Sequence, residues 1–348
     1  MPRNFPTLPS LLDHGADTLI DVRSPAEFAE DHIPGAINLP ALSNDQRARV
    51  GTIYTQDSPF NARKIGAALV ARNVAAHLEG ALADKDGSWQ PLVYCWRGGQ
   101  RSGSFASILT QIGWRAETVA GGYQTWRRLV VDALYKADWP TRVILLDGNT
   151  GTAKTEVLAL LAARGIQTID LEGLAGHRGS VFGATGEQPD QKAFESALAS
   201  AMARLAADRP LVVEAESSKI GARLVPPSLW AAMRGAPRLR IEAPVAARAA
   251  YLTRAYGDII ADRAALDAAI SNLKRLAGGA AVARWQGLAA AAEFEALAAE
   301  LIAQHYDPRY ARGAARNADA AAVFETETLD DAALEQLADR IAAKVAAF

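Results

Sequence analysis

The 348-residue sequence contains a single cysteine, which excludes an internal disulfide and favours a reducing compartment. It has no apolar run of about 20 residues, the length a membrane-spanning helix needs, and its first residues lack the apolar core of a signal peptide. The histidines and the cysteine show no metal-ligand spacing. The net charge of −2 argues against coating nucleic acid by bulk charge. We therefore expect a globular cytoplasmic protein without membrane association.

The length predicts two domains, because domains commonly contain roughly 100–200 residues. The segment 135–140 is polar and ends in proline, which is typical of a domain boundary. We accordingly expect one domain over residues 1–138 and a second over residues 139–348. Short apolar runs alternate with helical patterns in both parts, and this alternation predicts parallel sheets covered by helices.

Cys95 follows the short apolar run 91–94 and precedes a segment with helical periodicity, so it is predicted to lie on a strand-to-helix turn. Backbone N–H groups at such a turn favour an anion. Arg97 and Arg101 add positive charge, which is expected to lower the thiol pKa and make Cys95 a nucleophile. The remaining residues of this predicted anion cradle are Gly98, Gly99 and Ser102.

Four motifs occur in order: 21–23 with 27–28, then 32–36, the cysteine loop, and 121–123 with Trp126. In order and spacing they resemble the rhodanese domain, and the resemblance implies that Cys95 carries sulfur or selenium. Five residues separate Cys95 from Arg101, whereas the commonest rhodanese loop has four. Five is the spacing of Cys-x5-Arg phosphatases, although Tyr94 stands where those enzymes usually have histidine. The wider loop suits a tetrahedral anion, and the choice between transfer and hydrolysis stays open.

The second domain begins with an apolar strand that leads into a glycine-containing loop and then a helix, which is the context of a phosphate-binding P-loop. Ala153 replaces the second glycine of the motif G-x-x-x-x-G-K-[ST]. If that position requires a positive φ, alanine costs on the order of 1 kcal/mol, and we still expect phosphate binding. The Thr155 hydroxyl is the expected magnesium ligand. The predicted diphosphate-binding residues are Gly148, Thr150, Gly151, Thr152, Lys154 and Thr155.

Polar residues also follow two further apolar runs of the second domain. Carboxylates at the end of a strand beside a P-loop commonly contact magnesium through water. A solvated loop is the alternative for each run. The predicted members of this second polar site are Asp170, Glu172, His177, Arg178, Glu214, Glu216 and Ser217.

Together with the loop 94–102 and the run 305–310, these segments resemble the bacterial tRNA 2-selenouridine synthase family over nearly the whole chain. The resemblance implies an α/β protein in which a rhodanese-like parallel-sheet domain precedes a P-loop NTPase-like α/β domain with a helical C-terminal part. It also implies a tRNA substrate with 2-thiouridine in its anticodon loop, which is first geranylated from geranyl diphosphate. Selenium from selenophosphate then replaces the S-geranyl group. We expect Mg²⁺ with the diphosphate, no tightly bound cofactor, and a monomer.

The helix-rich part from about 244 to 301 contains basic residues interspersed with aromatic ones, a pattern that could bind an anticodon loop. For any single arginine, a solvated helical face is the better interpretation. Two other functional classes stay open: a Cys-x5-Arg phosphatase or sulfurtransferase fused to a nucleotide-binding module, and a non-enzymatic RNA or nucleotide sensor. The residues of the pattern are Arg248, Tyr251, Arg254, Tyr256, Arg263, Lys274, Arg275, Arg284 and Trp285.

Overall fold

The computed structural model describes residues 1–178, 182–183, 187–309 and 320–348. The chain divides into two compact units. The first contains Met1–Asp138 together with Pro189–Arg204, and the second contains Trp139–Gln188 and Leu205–Phe348. Residues 189–204 therefore group with the first unit, although the sequence-based boundaries placed them in the second domain.

The strands, numbered along the chain, are β1 (Pro2–Arg3), β2 (Thr18–Asp21), β3 (Ile37–Asn38), β4 (Pro91–Tyr94), β5 (Glu117–Val119), β6 (Val143–Gly148), β7 (Gln167–Ile169), β8 (Leu211–Glu214), β9 (Lys219–Ile220), β10 (Arg223–Leu224), β11 (Arg238–Glu242) and β12 (Ala322–Glu325).

The helices are α1 (Leu8–Leu12), α2 (Pro25–Glu30), α3 (Asn44–Gln56), α4 (Pro59–Glu79), α5 (Gln100–Ile112), α6 (Gly122–Val131), α7 (Lys154–Ala163), α8 (Leu171–Leu174), α9 (Gln191–Met202), α10 (Pro227–Arg234), α11 (Val245–Ala255), α12 (Gly257–Ala261), α13 (Arg263–Asn272), α14 (Lys274–Ala277), α15 (Gly279–Ala290), α16 (Phe294–Leu301) and α17 (Asp331–Val345). Short π-helical turns follow α6 and α16.

The first unit is built on a five-stranded parallel sheet with the order β1-β5-β4-β2-β3. All four residues of β4 are buried, as expected for a central strand covered on both faces. Because β4 lies between β5 and β2, the turn after it opens at the carboxyl edge of the sheet, where ligands of parallel sheets bind. This is the turn that carries Cys95.

Helix α9 packs against α6 of the first unit, and polar contacts fix it there. The Arg127 guanidinium lies 2.6 Å from the Glu195 carboxylate, and the Tyr135 hydroxyl donates to the same carboxylate at 2.6 Å. Glu195 is only 4% exposed, so its charge needs these partners. These contacts explain why α9 belongs to the first unit.

The second unit contains a five-stranded parallel sheet with the order β12-β11-β6-β8-β7. Its first strand, β6, lies between β8 and β11, so the chain crosses to opposite sides of β6. That topological switch point marks the expected ligand crevice of an open parallel sheet. Both predicted parallel sheets are confirmed, and so is the α/β class.

Two apolar clusters stabilise the second unit. In one, α17 buries Leu334, Leu337, Ile341 and Val345 against the sheet and α7. The other joins α13, α15 and α16 around the fully buried Trp285. Among the described residues, no helix is long and apolar enough to span a membrane.

Candidate functional sites

Cys95 is the first residue after β4 and is 3% exposed. Its Sγ atom lies 3.2 Å from the Ser102 hydroxyl. Burial raises the pKa of the thiol. Hydrogen bonds from Ser102 and from the Gly99 backbone, together with the charge of Arg101, outweigh burial and leave the pKa below its ordinary value. The predicted cradle therefore stabilises a thiolate, the reactive form of cysteine.

Glycines shape the cysteine loop where it meets the turn before α6. Gly98 has a φ of 66°, and a Cβ there would lie 2.7 Å from the Val119 carbonyl oxygen. Gly122 is equally constrained, since a Cβ there would lie 2.2 Å from the Cys95 carbonyl oxygen. The Tyr123 N–H donates to that same carbonyl at 2.8 Å. The motif at 121–123 thus packs against the cysteine loop and restricts its conformation.

The two arginines of the loop differ in their surroundings. Arg101 makes two hydrogen bonds to the Glu27 carboxylate, at 2.8 and 3.3 Å. Although burial acts to raise it, the pKa of Glu27 falls to about 2, because Arg101 and Ser24 stabilise the carboxylate. Arg97 is exposed. Arg101 is therefore oriented by Glu27, whereas Arg97 is accessible to an incoming anion.

Other residues of the first motifs form a buried scaffold. The Arg23 guanidinium is 1% exposed and lies 2.6 Å from the Asp21 carboxylate. It also donates to the Asp31 carbonyl at 2.6 Å. Tyr94, which replaces the phosphatase histidine, is buried, and its hydroxyl accepts from the Ile33 N–H at 3.1 Å. These residues position β4 rather than contact a ligand.

A hydrogen-bond network that the sequence did not predict connects α9 to the rest of the first unit. Asp31 is 3% exposed and accepts from the Tyr123 hydroxyl at 2.6 Å and from the Ser196 hydroxyl at 2.9 Å. The Trp126 indole donates to Ser196 at 3.0 Å. Burial raises the pKa of Asp31, and these hydrogen bonds offset only part of that effect. Because Tyr123 also packs beside the cysteine loop, α9 supports the site indirectly.

The P-loop connects β6 to α7, as predicted. Ala153 has φ 57° and ψ 30°, so the second-glycine position does require the left-handed conformation. Gly148 and Gly151 also have positive φ values, of 156° and 85°. A Cβ on Gly148 would lie 2.5 Å from the Thr152 hydroxyl. The loop thus has the backbone geometry of a phosphate-binding turn, with strain at one alanine.

The P-loop borders a cleft of 400 Å³ within the second unit. The ammonium group of Lys154 donates to the Gly148 carbonyl at 2.9 Å, which places it against the loop. The cleft brings together most of the predicted second-domain residues, including both strand-end runs. Predicted residues that line it are Thr150, Gly151, Thr152, Lys154, Thr155, Asp170, Glu172, His177, Arg178 and Glu216.

Two carboxylates face each other in this cleft. Burial, a hydrogen bond with Glu216 and the charge of Glu216 raise the pKa of Glu172 to about 8. Glu214 lies at the end of β8 and is fully buried; one oxygen accepts from the Leu171 N–H at 3.1 Å, and the other has no hydrogen-bond partner among the described residues. Burial raises its pKa well above the usual range. The cleft therefore contains more carboxylate than its cations neutralise.

The other residues predicted for the second polar site have different surroundings. Arg178 pairs with Asp258 at 3.1 Å and lies over the Tyr256 ring at 4.9 Å. Burial lowers the pKa of His177, so this imidazole is neutral at pH 7. Ser217 is exposed, and its hydroxyl donates to the Lys219 carbonyl at 2.6 Å. The prediction that Ser217 belongs to the polar site is wrong, because the chain leaves the cleft after Glu216.

Arg248 donates a hydrogen bond to the P-loop, a role that the sequence did not predict. It is 3% exposed and donates to the Thr150 carbonyl at 2.9 Å. It also makes two hydrogen bonds to Asp307, at 2.7 and 3.0 Å, and Asp307 accepts from the Asn149 amide at 3.0 Å. Its assignment to an RNA-binding face is wrong, because the guanidinium is buried under the loop. The run 305–310, which contains Asp307, is the sequence feature that could have indicated this contact. Tyr310 of that run lies outside the described residues.

The other residues of the predicted RNA-binding face differ in their exposure and their partners. Trp285 is fully buried, so its role in base stacking is excluded in this fold. Arg284 pairs with Glu300 at 2.7 Å. Lys274 and Arg275 are exposed on α14. Only part of this pattern is therefore available to a nucleic acid.

The second unit also fits a magnesium ion with a diphosphate. The raised pKa of Glu172 indicates excess negative charge that a cation would relieve. Thr155 lies in the same cleft and offers a hydroxyl oxygen. The described residues contain no group of three or more His, Cys, Asp or Glu side chains that would hold a metal alone. A cation here would thus bind together with the anionic ligand.

A family model described as the tRNA 2-selenouridine synthase AAA domain matches residues 141–340, and a rhodanese-like domain model matches residues 6–129. The chain belongs to the tRNA 2-selenouridine synthase family. A tRNA 2-selenouridine synthase of Pseudomonas syringae is 40% identical over 233 residues, which cover 64% of this chain and 61% of that protein. One from Chromohalobacter salexigens is 35% identical over 84% of this chain and 86% of its own.

The match to the Pseudomonas family member thus spans somewhat less than two thirds of its length. Among solved structures, a yeast protein tyrosine phosphatase of the rhodanese family is 17% identical to this chain. The alignment covers 38% of this chain and 86% of the phosphatase, with a TM-score of 0.23, too low to transfer function.

Proposed function

We propose that this chain is a transferase that converts 2-thiouridine in tRNA to 2-selenouridine through an S-geranyl intermediate. Family membership supports the tRNA substrate and the selenouridine product. The observation that carries the two-step scheme is the presence of two anion sites of different chemistry. One contains a stabilised thiol, and the other is a P-loop beside paired carboxylates.

The P-loop cleft would perform the geranyl transfer. The sulfur of 2-thiouridine forms a bond to the allylic carbon of geranyl diphosphate, the carbon–oxygen bond breaks, and diphosphate leaves. Backbone N–H groups of the loop and Lys154 stabilise the negative charge that develops on the leaving group. Thr155 and the nearby carboxylates would hold Mg²⁺ together with the diphosphate, and the ion would supply further positive charge.

S-alkylation also releases a proton from N3 of the base, because the product has a double bond between N3 and C2. The Glu172–Glu216 pair is placed to accept it. Because the pKa of Glu172 is raised to about 8, Glu172 holds a proton near neutral pH. Its neighbour Glu216 would therefore be the general base that accepts the proton from N3.

The cysteine loop would perform the selenium step. Selenium in selenophosphate already has the oxidation state of selenide, so a Cys95 perselenide would require an oxidant. Attack of the Cys95 thiolate on phosphorus balances without one: a sulfur–phosphorus bond forms, the phosphorus–selenium bond breaks, and selenide is released. Hydrogen selenide then adds to C2 and gives its proton to N3, the bond from C2 to sulfur breaks, and geranylthiolate leaves. Water hydrolyses the phosphocysteine to phosphate and thiol.

Three features support phosphorus as the target. The loop has five residues between Cys95 and Arg101, a spacing suited to a tetrahedral anion. Arg101 is oriented by Glu27, and the Ser102 hydroxyl contacts the sulfur. The same arrangement would permit a Cys95-dependent phosphatase, the second candidate function. Steady release of phosphate from an aryl phosphate, without any tRNA product, would favour that alternative.

The proposal is tested by incubating thiouridine-containing tRNA with the full chain, Mg²⁺, geranyl diphosphate and selenophosphate. Mass spectrometry of the nucleosides should show S-geranyl-2-thiouridine when selenophosphate is omitted and 2-selenouridine when both donors are present. Thiouridine that stays unchanged with both donors would contradict the proposal. Label from ³²P-selenophosphate on Cys95 would support attack on phosphorus, and a selenium isotope pattern on Cys95 would contradict it.

A further inference from the structure

A second, apolar cavity lies beside the P-loop and within the same unit. It is lined by residues of α11, α12, α13 and α16 and by Thr150 of the loop. The main side chains that line it are Leu252, Tyr256, Ile260, Leu266, Leu297 and Ala298.

The apolar cavity adjoins the phosphate-binding cleft. Thr150, Leu252 and Tyr256 line both spaces. The cation of Arg178 lies over the Tyr256 ring at 4.9 Å and also borders the phosphate cleft. Tyr256 therefore marks a change from a charged space to a hydrocarbon-lined one.

The lining favours a hydrocarbon over a nucleoside as the occupant. A nucleobase and ribose need hydrogen-bond partners in a buried site, because unpaired polar groups are costly. Among the described lining residues, none has a buried side-chain nitrogen or oxygen without a partner. The Thr253 hydroxyl, for example, donates to the Ala249 carbonyl at 3.0 Å. The walls thus match a hydrocarbon chain.

The size of the cavity fits a short branched chain. The space open to the centre of a water molecule measures 70 Å³. This small volume limits the length of a chain that can enter the cavity.

We propose that this cavity binds the isoprenoid tail of an allylic diphosphate whose diphosphate occupies the P-loop, and that it selects the chain length. The inference rests on the proposed function for the nature of the ligand. It assigns a hydrocarbon site to α11–α16, a region in which the sequence had indicated an RNA-binding face.

The test compares the affinities of inorganic pyrophosphate and of dimethylallyl, geranyl and farnesyl diphosphate for the full chain with Mg²⁺ by calorimetry. Burial of a hydrocarbon tail should make geranyl diphosphate bind at least about tenfold more tightly than pyrophosphate. Ala298→Phe, which fills the cavity, should abolish that advantage and leave pyrophosphate affinity unchanged. Ala296→Phe is the matched control, since Ala296 is exposed on the same helix, and it should retain the advantage.

A second variant keeps the test informative if Ala298→Phe does not fold. Phe294 lines the cavity and is half-buried, so Phe294→Ala should enlarge the cavity and shift the preference from geranyl towards farnesyl diphosphate. An unchanged tail preference in both variants would overturn the proposed site. So would ADP binding that exceeds pyrophosphate binding and falls in Ala298→Phe.

The tail site and the proposed function fail in distinguishable ways. Loss of the tail advantage in Ala298→Phe, with no tRNA product from the native chain, would contradict the function and support the site. Equal geranylation of tRNA by the native chain and by Ala298→Phe at limiting geranyl diphosphate would support the function and contradict the site.

Discussion

The cysteine loop and the P-loop use the same backbone arrangement for different chemistry. Each follows a central strand of a parallel sheet and leads into a helix whose first N–H groups face an anion. The cysteine loop is compressed by its neighbours, as Gly98 and Gly122 show, and its sulfur is nearly inaccessible. The P-loop instead borders a cleft of 400 Å³.

The balance of charge differs as well. In the cysteine loop, Glu27 orients Arg101, and the thiol pKa is lowered. In the cleft, carboxylates outnumber nearby cations, and the pKa of Glu172 is raised. The first arrangement favours a nucleophile, and the second favours a ligand that brings a cation and needs a proton acceptor. The comparison suggests that one strand–loop–helix unit reacts covalently and the other stabilises a leaving group.

The largest expected effect comes from Cys95→Ala. This variant should lose selenium incorporation completely and retain geranylation, because the thiol is absent from the P-loop cleft. Nucleoside mass spectrometry of treated tRNA measures both products. Loss of both steps would contradict the separation of the two sites. Ser102→Ala is the graded control: it keeps the thiol but removes a hydrogen bond to it, and it should slow thiol alkylation at neutral pH.

Lys154→Ala should weaken geranyl diphosphate binding about 10- to 100-fold, since hydrogen bonds to charged groups contribute about 1.5–3 kcal/mol. Calorimetry with Mg²⁺ gives the affinity directly. Lys274→Ala removes an exposed lysine from the same unit and should leave the affinity unchanged. Equal affinities in all three proteins would show that the loop does not bind the diphosphate.

Ala153→Gly should stabilise the protein by about 1 kcal/mol, because glycine adopts the left-handed conformation without the Cβ clash. Urea denaturation measures the change. Ala159→Gly, at an exposed position of the same helix, should destabilise by about 1 kcal/mol. Two changes of the same sign would contradict the assignment of strain to Ala153.

A further prediction concerns the dependence of stability on pH. Since the folded-state pKa of Glu172, about 8, exceeds its unfolded value, its contribution to stability is complete below about pH 4.5 and is lost as pH rises towards 8. Glu172→Gln should therefore flatten the decline in unfolding free energy between pH 5 and pH 8. A decline as steep as that of the native chain would mean that another group is responsible.

The sequence was sufficient to predict the features that depend on residues adjacent in the chain. Cys95 and Lys154 follow buried strands and precede helices, so the periodicity of a few residues on either side located both loops. Glu172 and Glu216 could also be predicted to converge, because parallel strands end at the same edge of a sheet. Their roles in catalysis stay predictions.

Features that depend on distant contacts could not be predicted. Arg248 has the same periodicity as an exposed helical arginine, and only its pairing with Asp307 reveals that it lies beneath the P-loop. Helix α9 has an ordinary amphipathic pattern, and its placement in the first unit depends on Ser196 and Glu195 meeting partners more than 60 positions away. The apolar cavity likewise arises from four helices that no single motif connects.

If two separable sites act in sequence on one base, a relay of two variants should complete the reaction. Thiouridine-containing tRNA is treated with Cys95→Ala and geranyl diphosphate, purified, and then treated with Lys154→Ala and selenophosphate. We expect 2-selenouridine in this order and none when the two treatments are exchanged. Absence of 2-selenouridine in both orders, with a fully active native chain, would contradict it.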